Sequence, residues 1–96
     1  MANLKRLERS NNAHARLFRK QNKIFRDEPF SSKKYFWASV KHEYHYNVYK
    51  EQMERNQILP KWEKSDIYDI AITKVSNKRN FHNSFGEKNY VPKKYR

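Results

Sequence analysis

Apolar residues first recur at helical spacing between Asn12 and Glu28, where Leu17, Ile24 and Phe25 fall on one side with Gln21 between them. Arg16, Arg19, Lys20, Lys23 and Arg26 occupy most of the remaining surface, so the segment reads as an amphipathic helix with a narrow apolar stripe. Asn11 or Asn12 offers the side-chain oxygen of an N-cap. Pro29 stops the helix, because the residue before a proline is pushed out of helical geometry. Ser31 and Ser32 then offer a fresh cap for a second helix running to about Asn56. In it Phe36, Val40, Tyr44 and Val48 recur at every fourth position, Trp37 widens the stripe, and Lys33, Lys34, Lys41 and Lys50 mark other sides. The short break at Pro29 predicts an antiparallel pair whose seam holds Leu17, Ile24, Phe36, Val40 and Tyr44.

Ile58, Leu59 and Pro60 interrupt the pattern. From Asp66 to about Lys78, Ser65 or Asp66 can cap a third helix with the face Ile67, Ile70, Ala71 and Val75. The β-branched run from Ile70 to Val75 fits a strand equally well. A lone strand would have nothing to pair with, so helix is preferred. The predicted class is all-α, a small antiparallel three-helix bundle, divided into a basic N-terminal segment (1–11), a helical domain (12–79) and an extended C-terminal arm (80–96). The arm holds Gly86 and Pro92, and its rings Phe81, Phe85, Tyr90 and Tyr95 are too scattered for one helix face. They are expected to fill separate pockets on a neighbouring subunit as anchors of an extended strap, flanked by Lys88, Lys93, Lys94 and Arg96.

Composition narrows the function. With 96 residues, 36% of them hydrophobic, the chain builds one thin core. An aromatic content of 16% supplies much of its burial and sets it apart from disordered chains. Lys and Arg number 22 against 10 acids, a formal charge of +12, which favours an acidic partner: RNA, an anionic membrane surface or an acidic protein. Cysteine is absent, which excludes disulfides, thiolate metal sites and cysteine nucleophiles. His42 and His45 stand three apart on the second helix, but no carboxylate pattern completes a metal site, and the histidines read as surface or partner-facing groups. No apolar run approaches the length of a membrane span. Arg6, Arg9, Arg16 and Arg19, opposed by Glu8 alone, have the balance of a mitochondrial targeting helix, or of an ordinary basic one.

Leu17-Phe18-Arg19 opens a longer pattern. It continues with Lys23 and Arg26, then the aromatic cluster Tyr35-Phe36-Trp37, then Lys41, Tyr44 and Asn47 at successive three-residue steps. This pattern resembles the LYR-motif family of small mitochondrial three-helix proteins over about Ala15 to Asn47. Phe18 stands where the family has tyrosine, Lys23 and Lys41 where it has arginine, and Gln21 and Asn22 where it is usually apolar. The resemblance implies an LYR-type bundle in which Leu17, Phe18, Arg19, Lys23, Arg26, Lys41 and Tyr44 meet the partner. Arg19, Lys23 and Arg26 share a helix face, and in the family such a ridge holds the acidic mitochondrial acyl carrier protein near its phosphopantetheine. It further implies a non-catalytic accessory subunit of a respiratory-chain assembly, most simply complex I, on the matrix side of the inner membrane. No cofactor would be bound directly beyond the acyl-phosphopantetheine of a docked carrier.

Two other readings stand beside it. One is a mitoribosomal or ribosome-assembly protein binding rRNA, or an assembly factor for iron–sulfur proteins or respiratory complexes. The charge and the rings suit RNA, although known RNA-module signatures are absent. The other is an enzyme using Asp66 and Asp69, three apart, but no phosphate loop or cleft-forming architecture accompanies them.

Overall fold

The computed structural model describes residues 2–96, with side chains from Leu4 onward. The described chain is all-α: α1 (Ala2–Asp27), α2 (Lys33–Arg55), α3 (Lys61–Asn83) and a short 3-10 turn, Lys93–Tyr95.

α1 does not begin at Asn12. It runs unbroken from Ala2, so residues 2–11 of the expected N-terminal segment are the first part of the helix and neither Asn11 nor Asn12 caps it; Met1 lies outside the described residues. The inward face of α1 is Leu7, Asn11, His14, Phe18, Gln21 and Phe25, alternating steps of four and three. Half of these positions are polar, and α2 meets two of them with polar groups. The fully buried Gln52 amide donates to Asn11 Oδ1 and to Ser10 Oγ, both at 3.0 Å, and its carbonyl accepts from Leu59 N at 3.2 Å. His14 and His45 face each other at 2.7 Å between their Nδ1 atoms. Phe18 packs on His42 (ring centres 5.4 Å apart) and Tyr49 (6.1 Å), and Phe25 on Tyr35 (4.9 Å). Along this seam partner numbers fall on α2 as they rise on α1, from Asn11–Gln52 to Phe25–Tyr35. Leu17 and Ile24 are half-buried flanks of the seam, and Phe18 and Phe25 occupy its centre.

Ser32 caps α2, its Oγ accepting from Tyr35 N at 3.1 Å. Asn56 ends it in the left-handed region (φ 54°), a conformation Asn tolerates better than most residues. The other side of α2 carries the apolar core: Phe36 and Val40, fully buried, pack with Ala71 and Ile72 of α3, and Trp37, Tyr44, Tyr68 and Val75 close around them. Ion pairs pin the same interface, Glu43 to Lys74 at 2.8 Å and Arg55 to Glu63 at 2.7 Å. The Lys74 ammonium beside Glu43 holds that carboxyl below its ordinary value, against the opposing effect of partial burial. Among the described residues α1 and α3 make no close backbone approach, so α2 is the middle helix of a flat molecule measuring 54 × 27 × 18 Å.

α3 starts at Lys61, earlier than the Ser65 or Asp66 cap predicts, with Pro60 at the N-cap. Asp66 and Asp69 are exposed positions inside it. It also continues to Asn83, so Phe81 lies on the helix. The C-terminal segment is not an extended strap. After Gly86, whose φ of 97° favours glycine, the chain folds back onto its own helices. Asn83 grips Asn89 through both backbone groups (3.0 and 2.8 Å), Asn80 donates to Tyr95 O at 2.8 Å, and Tyr90 N donates to Ser31 O at 2.9 Å. Val91 is fully buried, and Tyr90 and Tyr95 join the core around Phe36, which corrects their assignment to a neighbour's pockets.

Arg79 ties these pieces together. Its guanidinium, 1% exposed, donates to the carbonyls of Phe30, Ser32 and Tyr90, so one side chain links the α1–α2 loop, α3 and the folded-back tail. Three rings surround it in place of a carboxylate: Phe30, Phe36 and Tyr35, at 4.7, 5.4 and 5.7 Å. Burial pushes its pKa below the ordinary arginine value.

Candidate functional site: a lysine-rimmed groove on the first two helices

Ile24 on α1 and Trp37 and Ala38 on α2 leave an open groove of about 520 Å³ between the helices. Its floor is apolar, with Ile24 and Trp37 half-buried at the edge of the seam and Ala38 buried within it. Lys23 on one wall and Lys33, Lys34 and Lys41 on the other form the rim. Residues three and four apart share a helix face, so Lys34, Trp37 and Lys41 stand in one row along α2. Asp27 and Glu28 close one end, but each is engaged by a neighbouring cation, Asp27 by Arg26 at 3.3 Å and Glu28 by Lys34 at 3.7 Å. Lys23 and Lys41 have no carboxylate within ion-pair distance among the described residues. Gln21 lies at the back of the groove, 5% exposed, and its Oε1 has no hydrogen-bond partner. The groove thus offers an apolar floor and free cations at its edge.

The residues singled out from sequence divide into three groups. Lys23 and Lys41, from the two halves of the motif, meet on the groove. Arg19 and Arg26 are exposed on α1 and continue its basic surface beyond the rim. Leu17, Phe18 and Tyr44 are elsewhere. Leu17 lies in a separate shallow patch with Ala13, Arg16 and Lys20, and Phe18 is inside the α1–α2 seam. Tyr44 faces α3, its ring 5.4 Å from Tyr68, and burial raises its pKa. Of the arm anchors, only Phe81 and Phe85 stay exposed.

Trp37 and Lys34 were not singled out as site residues. Their spacing from Lys41 was the available signal, but Trp37 lies beside Phe36 and reads as core. His14, His42 and His45 are packed in the α1–α2 seam, and His82 is the histidine at the surface, 38% exposed at its side chain. His42 packs against Phe18 and Phe25, His45 against His14, so the pair three apart on α2 does not present two free nitrogens together. Burial, with smaller contributions from His14, Lys41 and His42, depresses His45 to about 4; burial and then Lys64 lower His14. No group of three His, Asp or Glu side chains suited to a metal occurs among the described residues, and none of the described helices is long and apolar enough to cross a membrane. Comparison with protein-family models, with curated proteins and with solved structures finds no match.

Proposed function

We propose that this chain is a non-catalytic docking subunit that seats an acidic partner protein on the α1–α2 groove and the basic surface of α1. One observation carries the reading: Lys23 and Lys41, free of carboxylates, converge on an apolar floor of Ile24 and Trp37. Free cations around an apolar centre suit an acidic surface with one projecting apolar group, the charges steering approach and the floor slowing departure. Taken with the LYR-like pattern, the partner proposed is mitochondrial acyl carrier protein, and the setting an accessory subunit of a respiratory-chain assembly such as complex I, on the matrix side of the inner membrane.

The experiment is titration of the purified chain with acyl carrier protein by calorimetry, alongside Lys23→Glu/Lys41→Glu and Arg19→Glu/Arg26→Glu. Micromolar or tighter binding that the groove variant abolishes and the ridge variant weakens is the expected result. Absence of binding by the unaltered chain overturns the carrier as partner. Binding that survives Lys23→Glu/Lys41→Glu overturns the groove as its seat.

A further inference from the structure

The C-terminal end of α3 carries a second surface, which shares no residue with the groove. Phe81 and Phe85 are 63% and 73% exposed, and their rings stand edge to face at 5.1 Å. Phe81 continues to His82 at 6.0 Å and His82 to Phe30 at 6.1 Å, with Phe30 itself 40% exposed. Rings therefore follow one another across the junction of the α1–α2 loop and the C-terminal end of α3. Leaving them in water is costly, and the protein's own core does not claim them; Tyr90 and Tyr95 took the places available there.

The charge around them is basic. Lys78, three residues before Phe81 and so on the same side of α3, lines a groove with Phe30 and has no carboxylate partner among the described residues. Lys88 follows Phe85 by three residues in the exposed turn. Glu87 and Glu28 each stand two residues from one of these rings, and each is engaged, Glu87 by His82 at 3.1 Å and Glu28 by Lys34 at 3.7 Å. Exposed rings beside unpaired lysines, each with a face open to a separate base, suit a ligand with π-faces on an anionic backbone. A purely apolar partner would leave the lysines unpaired.

We propose that Phe30, Phe81 and Phe85 form a stacking platform for the unpaired bases of single-stranded RNA, with Lys78 and Lys88 meeting its phosphates. Stacking on aromatic side chains tolerates any base, so the site reads single-strandedness and not sequence. Folded RNA is the nucleic acid that persistently presents such bases, in loops and bulges.

Fluorescence anisotropy with a labelled 12-nucleotide oligouridylate, against the same length of RNA duplex, tests the platform on the full chain. Both rings are exposed, so Phe81→Ala/Phe85→Ala should fold normally, and its affinity for the single strand should fall on the order of tenfold or more. Phe81→Leu/Phe85→Leu keeps apolar bulk without a flat ring and should be as weak. Lys78→Ala should flatten the salt dependence by about 0.7 in log–log slope, the value for one phosphate contact on a single strand. Duplex bound as tightly as single strand, leucines binding as well as phenylalanines, or no binding at all would each overturn the proposal.

Discussion

The guanidinium carbon of Arg79 lies 4.7 Å from the centre of the Phe30 ring while the same group donates a hydrogen bond to the Phe30 carbonyl. One loop residue thus holds the buried cation by ring and by backbone together. Replacing Arg79 with Ala leaves the carbonyls of Phe30 and Tyr90 without a donor, Ser32 O keeping that of Phe36 N, and opens a space among three rings. The expected loss is about 3 kcal/mol or more of unfolding free energy in urea. A loss below 1 kcal/mol (on the scale of an ordinary surface change) would show that these contacts do not support the fold.

Removing the residues after Asn83 should not leave a stable helical domain. It takes away the fully buried Val91, the rings Tyr90 and Tyr95, and one acceptor of Arg79. Burying a residue such as Val contributes about 1.5–3 kcal/mol, so the summed loss approaches the whole stability of a domain this small. Circular dichroism of the truncated chain should show diminished helicity and a broad, early thermal transition; an unchanged transition would exclude the folded-back tail.

Acid should weaken the α1–α2 seam through its histidines. In the unfolded chain a histidine takes up its proton near 6.5, whereas His45 in the fold resists to about 4, and His14 is shifted the same way. The unfolded state therefore binds more protons across that window. Stability is complete above about 6.5 and falls as pH drops from there toward 4. The double variant His14→Gln/His45→Gln should have a flatter stability profile over this range; the wild-type slope in that variant would assign the effect to other groups.

Gln21 carries an orphan buried oxygen, so Gln21→Leu should stabilise the fold by about 1 kcal/mol, as expected when an unsatisfied polar group gives way to an apolar one of similar size. The same oxygen is buried out of a partner's reach, so carrier binding should be unchanged while stability rises. A destabilised Gln21→Leu variant would mean that the amide is satisfied in solution.

α2 was legible because every local signal agreed: the Ser32 cap, a repeat of apolar residues and a basic flank. The first ten residues of α1 were not, because its buried face alternates Leu7, Phe18 and Phe25 with Asn11, His14 and Gln21. A hydrophobic pattern breaks wherever a seam pairs amide with amide and imidazole with imidazole. α3 began unseen since Pro60 at the N-cap has no side-chain oxygen to advertise it. In the tail, Gly86 and Pro92 were read as marks of extended chain, whereas here they set the turns that return it to the core. Lys23 and Lys41 were identified from the motif, but nothing in their spacing revealed that Ile24 and Trp37 lie between them. Tyr44 was misplaced because both sides of α2 are occupied, one by α1 and the other by α3.

That middle position of α2 makes the molecule mechanically unequal. α1 is fastened along one side only, by rings and amides, while α2, α3 and the tail share the apolar core and the Arg79 clasp. Its backbone amides should exchange with solvent deuterium through a separate, lower-energy opening, a cooperative unit of its own. The groove straddles the boundary between that unit and the rest. A partner seated there would bridge the two, so its arrival would register first as slowed exchange in α1.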